Sequence, residues 1–236
     1  MAKRKFNGEM TAGEQIAGTV LFVIYLVVLP FATAPLFALA GRLLGITIST
    51  SLQNMIYYYL LFAVTLVIFH GFLGRTSRVL ADHLGDACKT MVLGLIALYG
   101  LNELVYRVTS LLGNSQTNLN DMAISTRIQH APHTTLLIVI FLAPFVEEVL
   151  FRGLVFGNLR SKSPAAAYLL SCALFALLHV WQFVVARQDV TYFWLMVQYL
   201  VPGLVLAWVY DRSGTLWASI GLHAAANALS VWTILG

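Results

Sequence analysis

Seven long apolar segments constrain the fold of this chain. Each holds about 20 or more mostly apolar residues, the length that an α-helix needs to cross the hydrocarbon core of a membrane. The segments are Gln15–Ala40, Leu52–Gly74, Thr90–Leu112, Thr134–Phe156, Ala165–Ala186, Thr191–Tyr210 and Thr215–Leu235. Only 10% of the residues are charged, whereas a soluble domain carries about 25%. The sequence therefore predicts an all-α fold, a polytopic bundle of seven transmembrane helices.

The first segment allows two different helix counts. It contains Pro30 and Pro35, and proline inside a helix removes a backbone hydrogen bond and kinks or breaks it. We expect a kink or a break there, and eight spanning helices are the alternative count. No polar stretch is long enough to fold alone, so residues 1–236 are predicted to form one integral membrane domain.

Basic residues outside the segments predict the orientation in the membrane. The N-terminus and one set of connections hold nine of them: Lys3, Arg4, Lys5, Arg75, Arg78, Lys89, Arg160, Lys162 and Arg212. The other set holds four: Arg42, Arg107, Arg127 and Arg187. By the positive-inside rule the N-terminus is cytoplasmic and the C-terminus is outside. The net charge of +4 lies in short connections, so membrane lipid is the expected partner and nucleic acid is not.

The longest connection is the polar stretch Gly113–His133, which we expect to be a loop on the outer side. Two other patterns predict structure rather than chemistry. Glu103 and Arg107 are four residues apart and should pair along one helix. Gly153 and Gly157 form a GxxxG pattern, which is typical of close helix packing in membranes.

Three charged residues lie inside the fourth apolar segment. Glu147, Glu148 and Arg152 are near the middle of Thr134–Phe156. A charge at this depth costs roughly 2.5–3.5 kcal/mol on insertion scales, so it marks a functional site by default. Glu148 and Arg152 are four residues apart and should pair on one helix face. Glu147 is then left without a partner on its own helix.

Polar residues at the same spacing occur in two later segments. Phe175 precedes His179 by four residues, and His223 precedes Asn227 by four. At about 1.5 Å per residue, Glu147, His179 and His223 lie roughly 13–21 Å from the cytoplasmic ends of their segments. We therefore expect the three side chains to converge. A structural cluster is the alternative, because an intramembrane histidine also serves as an interhelical hydrogen-bond partner.

These residues form three ordered motifs. EEVLFR (Glu147–Arg152) matches EExxxR, FALLH (Phe175–His179) matches FxxxH, and HAAAN (His223–Asn227) matches HxxxN. In this order they resemble the CAAX protease and bacteriocin-processing family of intramembrane proteases. The resemblance covers residues 134–230, the expected catalytic core, and leaves residues 1–113 as accessory transmembrane helices. The chain contains no HExxH motif and no GxGD pair.

The resemblance implies an intramembrane endopeptidase, a hydrolase that acts on peptides or membrane proteins. The compact chain with few long loops favours a prokaryotic cell membrane as its location. The resemblance also implies that Glu147 and His179 activate a water, and that His223 and Asn227 stabilise the oxyanion. Glu148 and Arg152 would hold the site together. Such roles are chemically suitable, because amide hydrolysis needs a base for water and donors for the developing charge.

Two alternatives stay open at this point. A non-catalytic binding protein, or a bacteriocin-immunity protein, would use the same polar cluster for recognition instead of hydrolysis. No cofactor is favoured, but Glu147, His179 and His223 together would also suit a zinc ion. Against zinc, Asn227 is a poor metal ligand and a good oxyanion donor, and Arg152 supplies positive charge beside the site.

Overall fold

The computed structural model describes residues 9–111 and 118–235. In these ranges the chain forms helices and no strands. The helices are α1 (Ala12–Leu44), α2 (Thr50–Asp82), α3 (Leu84–Leu111), α4 (Leu119–His130), α5 (Pro132–Arg160), α6 (Pro164–Arg187), α7 (Val190–Ser213) and α8 (Leu216–Leu235). Seven of them, all except α4, are long and apolar enough to cross a membrane. The predicted all-α, seven-span bundle is confirmed, and the protein is an integral multi-pass membrane protein.

The first helix is continuous, so the break that we considered at the two prolines is absent, and the kink stays a prediction. Helix α1 begins with a capping box, in which Thr11 and Glu14 exchange side-chain-to-backbone hydrogen bonds. It continues through both prolines to Leu44. Its irregular part is a π-helical turn at Ile24–Val28, one turn before the first proline. The basic residues Lys3, Arg4 and Lys5 lie outside the described residues.

The prediction that Gly113–His133 form a loop is wrong over most of this range. Residues up to 117 lie outside the described ranges, but Leu119–His130 form the twelve-residue helix α4. Asn118 caps this helix by accepting hydrogen bonds from two backbone amides. Ile124 and Ile128 are buried against α5 and α8. Two buried apolar residues four apart are enough to attach this short helix to the bundle, although many of its other residues are polar.

Helix α5 lies at the centre of the bundle. Of the residues in its apolar 18-residue stretch, 67% are buried, compared with 11% in the corresponding stretch of α1. Helices α6 and α7 pack closely beside it, because α7 presents a glycine to α6. A Cβ atom at Gly203 would lie 3.3 Å from the Cα of Cys172. Among the seven spanning helices, α5, which carries both glutamates, thus has the largest buried share.

The Glu103–Arg107 pair is confirmed, and the GxxxG pattern is confirmed at Gly153 but not at Gly157, where a Cβ atom would make only ordinary contacts at 3.5 Å or more. A Cβ atom at Gly153 would lie 2.9 Å from the Phe72 ring, so this glycine permits the close packing predicted from GxxxG. Arg107 and Glu103 form an ion pair at 2.7 Å, and both side chains are exposed. This exposed pair has the same four-residue spacing as the buried pair of the candidate site.

Candidate functional site

Two π-helical turns in α5 surround the glutamates. Ile138–Leu142 form the first turn and Val149–Phe156 the second. Between them, Ala143–Glu148 form a short α-helical stretch that ends with the two carboxylates. A π-turn holds an extra residue and weakens the regular i→i−4 pairing of the backbone, and such turns are frequent at functional sites.

Glu148 is a fully buried carboxylate with three side-chain donors. Its Oε1 accepts from Arg152 at 2.9 Å and from Nδ1 of His223 at 2.9 Å. Its Oε2 accepts from the hydroxyl of Ser219. A buried charge is tolerated only when it is paired and hydrogen-bonded. The predicted pair with Arg152 is confirmed, and two donors from α8 complete the arrangement.

Arg152 connects α5 to two further helices. It is fully buried, and a second guanidinium nitrogen donates to the carbonyl of Gly203 in α7 at 3.1 Å. The guanidinium carbon lies 4.3 Å from the centre of the Phe175 ring in α6, a cation–π contact. Arg152 thus joins α5, α6 and α7 around one charge.

Glu147 has a different environment. Its Oε2 lies 3.9 Å from Nε2 of His223, which is beyond hydrogen-bond distance. Tyr25 of α1 is buried and lies close enough to interact with this carboxylate. Tyr57 and Tyr58 of α2 are close enough to interact with it electrostatically. Glu147 therefore faces α1 and α2, and it retains more acceptor capacity than Glu148.

His179 is held by two ring contacts and one hydrogen bond. Its Nδ1 donates to the Phe175 carbonyl at 2.9 Å. Because a carbonyl only accepts, the neutral ring has its lone pair on Nε2. The ring lies 4.7 Å from the Phe175 ring and stacks on Tyr199 at 4.5 Å and 22°. The Tyr199 hydroxyl donates to the side chain of Asn118, the cap of α4, at 3.1 Å.

His223 and Asn227 extend the site along α8. The His223 ring lies 5.9 Å from the Phe175 ring, so Phe175 contacts both histidines. Asn227 donates from Nδ2 to the carbonyl of Val139 at 2.8 Å, inside the first π-turn of α5. The predicted convergence is confirmed: Glu148, Arg152 and His223 are in direct contact, Glu147 and His179 flank them, and Asn227 lies at one edge.

Four contacts in the site were not predicted from the sequence. They involve Ser219, Gly203, Tyr25 and Tyr199. One signal would have found Ser219, because it precedes His223 by four residues and shares its helix face. The others have no local signal, since their partners lie on different helices.

The zinc alternative finds limited support in the geometry. The donor types are suitable, and each histidine uses Nδ1 for an internal hydrogen bond and leaves Nε2 for a ligand. However, no three His, Cys, Asp or Glu side chains in residues 9–111 and 118–235 are grouped closely enough to hold a metal ion. The absence of metal at this site stays a prediction.

Comparison with known proteins agrees with the motifs. The sequence model of a family described as type II CAAX prenyl endopeptidase Rce1-like matches residues 129–229. The UPF0177 protein YxdF of Lactococcus lactis subsp. lactis is 30% identical over 86 residues, which are 36% of this chain and 42% of that protein. The chain thus spans less than half the length of this curated relative. No solved structure matches the chain.

The family resemblance predicted from three short motifs is confirmed over residues 129–229. This range contains all of the site residues predicted from the sequence: Glu147, Glu148, Arg152, His179, His223 and Asn227. Tyr25 and the other tyrosines that approach Glu147 lie outside it, in α1 and α2.

Proposed function

We propose that this protein is an intramembrane endopeptidase. Its residues 129–229 match the sequence model of the Rce1-like family. One observation carries the proposal. Two adjacent glutamates in the centre of the bundle have different environments: Glu148 is saturated by three side-chain donors, and Glu147 is not. A saturated carboxylate holds a structure together, whereas a carboxylate with spare acceptor capacity can take a proton from water.

The mechanism that we propose begins with a water between Glu147 and Nε2 of His179. One of these groups takes a proton from the water as its oxygen attacks the carbonyl carbon of the peptide bond. The C–N bond of the resulting tetrahedral intermediate then breaks, and the same proton passes to the leaving amine. Atoms and charges balance without a further reactant, since one water is consumed and two peptides are released.

The oxyanion of that intermediate would be stabilised by Asn227 and His223. An amide nitrogen has two N–H groups, and Asn227 uses one for the Val139 carbonyl, so the other is available. Nε2 of His223 donates only when the ring is doubly protonated, because Nδ1 already donates to Glu148. We therefore assign the oxyanion role to the charged form of His223.

The expected substrate is a peptide or a membrane protein in a prokaryotic cell membrane. The positive-inside rule supports a cytoplasmic N-terminus. In that orientation α4 and the first residues of α5 lie on the outer side. Bacteriocin processing is one activity that fits this location.

The test is cleavage of a peptide pool of randomised sequence by purified full-length protein in detergent. Mass spectrometry of the products detects cleavage at any sequence in the pool, so no particular substrate has to be chosen. We expect new peptide ends with wild-type protein and none with a Glu147→Gln variant. A Glu103→Gln variant is the matched control, because Glu103 is an exposed glutamate far from the site.

The same experiment separates the proposal from its alternative. If wild-type protein retains labelled peptides but leaves them uncut, the non-catalytic binding or immunity role becomes the better explanation. If the products of wild-type and Glu147→Gln protein are identical, the cleavage comes either from a contaminant or from a mechanism without Glu147, and the proposal in this form fails.

A further inference from the structure

A cavity of about 260 Å³ lies beside the candidate site. It is formed by the first turns of α2, the last turns of α4 and the first turns of α5. Its polar lining includes Thr50, Asn54, Tyr58, Arg127, His130 and Thr134. The proposed hydrolysis gives this cavity no role. Helix α4, which forms one wall of the cavity, is nevertheless linked to His179, because Asn118 at its start bonds Tyr199 and Tyr199 stacks on His179.

The chemistry of the lining favours an anion. None of the described residues that line the cavity is an aspartate or a glutamate. Arg127 is exposed and belongs to none of the ion pairs found in the described part of the chain. Hydroxyl groups and an amide line the same cavity. Arginine in such a setting forms charge-assisted, often bidentate hydrogen bonds with a carboxylate or a phosphate.

The inner end of the cavity adjoins the candidate site at two residues. Tyr58 lines the cavity and interacts electrostatically with both Arg127 and Glu147. Val139 also lines it, and its carbonyl accepts the hydrogen bond from Asn227. A peptide in the cavity would therefore be separated from the groups that we assign to hydrolysis only by residues that contact both.

We propose that this cavity binds a carboxylate of the peptide substrate through Arg127 while the bond to be cut lies at Glu147. This inference rests on the proposed endopeptidase function. The carboxylate belongs either to the C-terminus of the peptide or to an acidic side chain near the cleaved bond. Ligand pockets usually hold about 300–1,000 Å³, so the cavity suits the end of a peptide rather than a whole folded substrate.

A lipid phosphate has the same charge and is the competing occupant. The peptide is favoured because Tyr58 and Val139, which line the cavity, also interact with Glu147 and Asn227 of the candidate site. Hydroxyl and amide groups in the cavity wall can also pair with a peptide backbone. Binding of a lipid headgroup would not require the cavity to lie next to the candidate site.

The test compares two randomised octapeptide pools that differ only at the C-terminus, one a free acid and the other an amide. Cleavage is measured with wild-type, Arg127→Gln and Arg187→Gln protein in nanodiscs of neutral lipid. Arg187 is the matched control, an exposed arginine outside the cavity. We expect wild type and the control to prefer the free acid by about 10- to 100-fold in kcat/KM, as for a charge-assisted hydrogen bond. Arg127→Gln should lose this preference.

The two sources of the carboxylate give different results. If it is a side chain, wild-type protein cuts both pools equally but selects aspartate or glutamate at one fixed position, and Arg127→Gln loses that selection. If Arg127→Gln and wild type show the same preferences in every comparison, the inference is wrong while the endopeptidase function stands.

A binding measurement keeps the cavity testable in the absence of cleavage. If wild-type protein cuts neither pool, the proposed function fails, and fluorescein-labelled pools are titrated onto the same three proteins. Tighter binding of the free-acid pool that disappears in Arg127→Gln supports a carboxylate site. Equal binding of both pools overturns the inference. It is also overturned if anionic lipid binds in a manner that depends on Arg127 while the two peptide pools bind equally.

Discussion

Nδ1 of His223 donates a hydrogen bond to Oε1 of Glu148 at 2.9 Å. This bond separates the functions of the two adjacent glutamates. Glu148 fixes the orientation of the His223 ring. It also holds Arg152, which contacts α6 and α7. The other ring nitrogen of His223 lies 3.9 Å from Oε2 of Glu147, beyond hydrogen-bond distance. Substitution of the two glutamates and of their partners should therefore give separable effects on stability and on catalysis.

We predict that Glu147→Gln and Glu148→Gln have different effects. Glutamine at 147 removes the general base, which should lower kcat by about 10²–10⁴-fold without loss of thermal stability. Glutamine at 148 leaves Arg152 as a buried charge without its counter-ion, which costs about 3–5 kcal/mol of folding stability. Peptide cleavage and thermal unfolding of both variants in detergent measure the two effects. Near wild-type turnover by Glu147→Gln would remove it from the mechanism.

We predict that Arg152→Ala destabilises the protein far more than Arg107→Ala. Both arginines pair with a glutamate four residues earlier, but only the Arg152 pair is fully buried. The buried pair should cost about 3–5 kcal/mol when one partner is removed, and an exposed helical pair about 0.5 kcal/mol. Thermal unfolding of the two variants gives the comparison. If Arg152→Ala is as stable as wild type yet inactive, a direct role in catalysis or in binding a substrate carboxylate is the better assignment.

We predict that Tyr199 acts as a positioning residue for His179. Tyr199→Phe keeps the ring stack and loses only the hydrogen bond to Asn118, so kcat should stay near the wild-type value. Tyr199→Leu removes the stack, and its loss should lower kcat by up to about tenfold, since an aromatic pair contributes about 0.5–1.5 kcal/mol. Steady-state kinetics with the fastest peptide from the pool separates kcat from KM. Equal kcat in both variants, or a change in KM alone, contradicts the assignment.

We predict that hydrolysis requires no metal ion. Purified, tag-free protein should contain no stoichiometric zinc, and it should keep its activity after incubation with a chelator. Elemental analysis and a cleavage assay before and after chelation give both results. Bound zinc, together with activity lost to the chelator and restored by zinc, would turn Glu147, His179 and His223 into ligands.

The sequence predicted the parts of this structure that depend on local patterns. The length of each apolar segment defines a spanning helix, and a four-residue spacing determines which side chains share a face. These two rules are enough to place Glu148 beside Arg152 and to bring His179 and His223 to the same depth. Helix α4 was missed because its burial depends on only Ile124 and Ile128, a signal too short to distinguish from a polar loop.

Contacts between distant helices could not be predicted in this way. Tyr25 reaches Glu147 from the first helix, and Tyr199 stacks on His179 from α7. Spacing along one helix carries no information about which neighbouring helix it faces. The π-turns of α1 and α5 add a second reason, because an extra residue in a turn rotates the side chains that follow away from the positions expected for a regular helix.

The sequence separation of the partners of α5 has a consequence for synthesis. Arg152 lies four residues from Glu148, so the pair can form as soon as α5 leaves the ribosome. The other donors to Glu148, Ser219 and His223, follow 71 and 75 residues later. Chains are made from the N-terminus at about 5–20 residues per second. For several seconds, Arg152 is therefore the one side chain of these three that is available to neutralise this carboxylate.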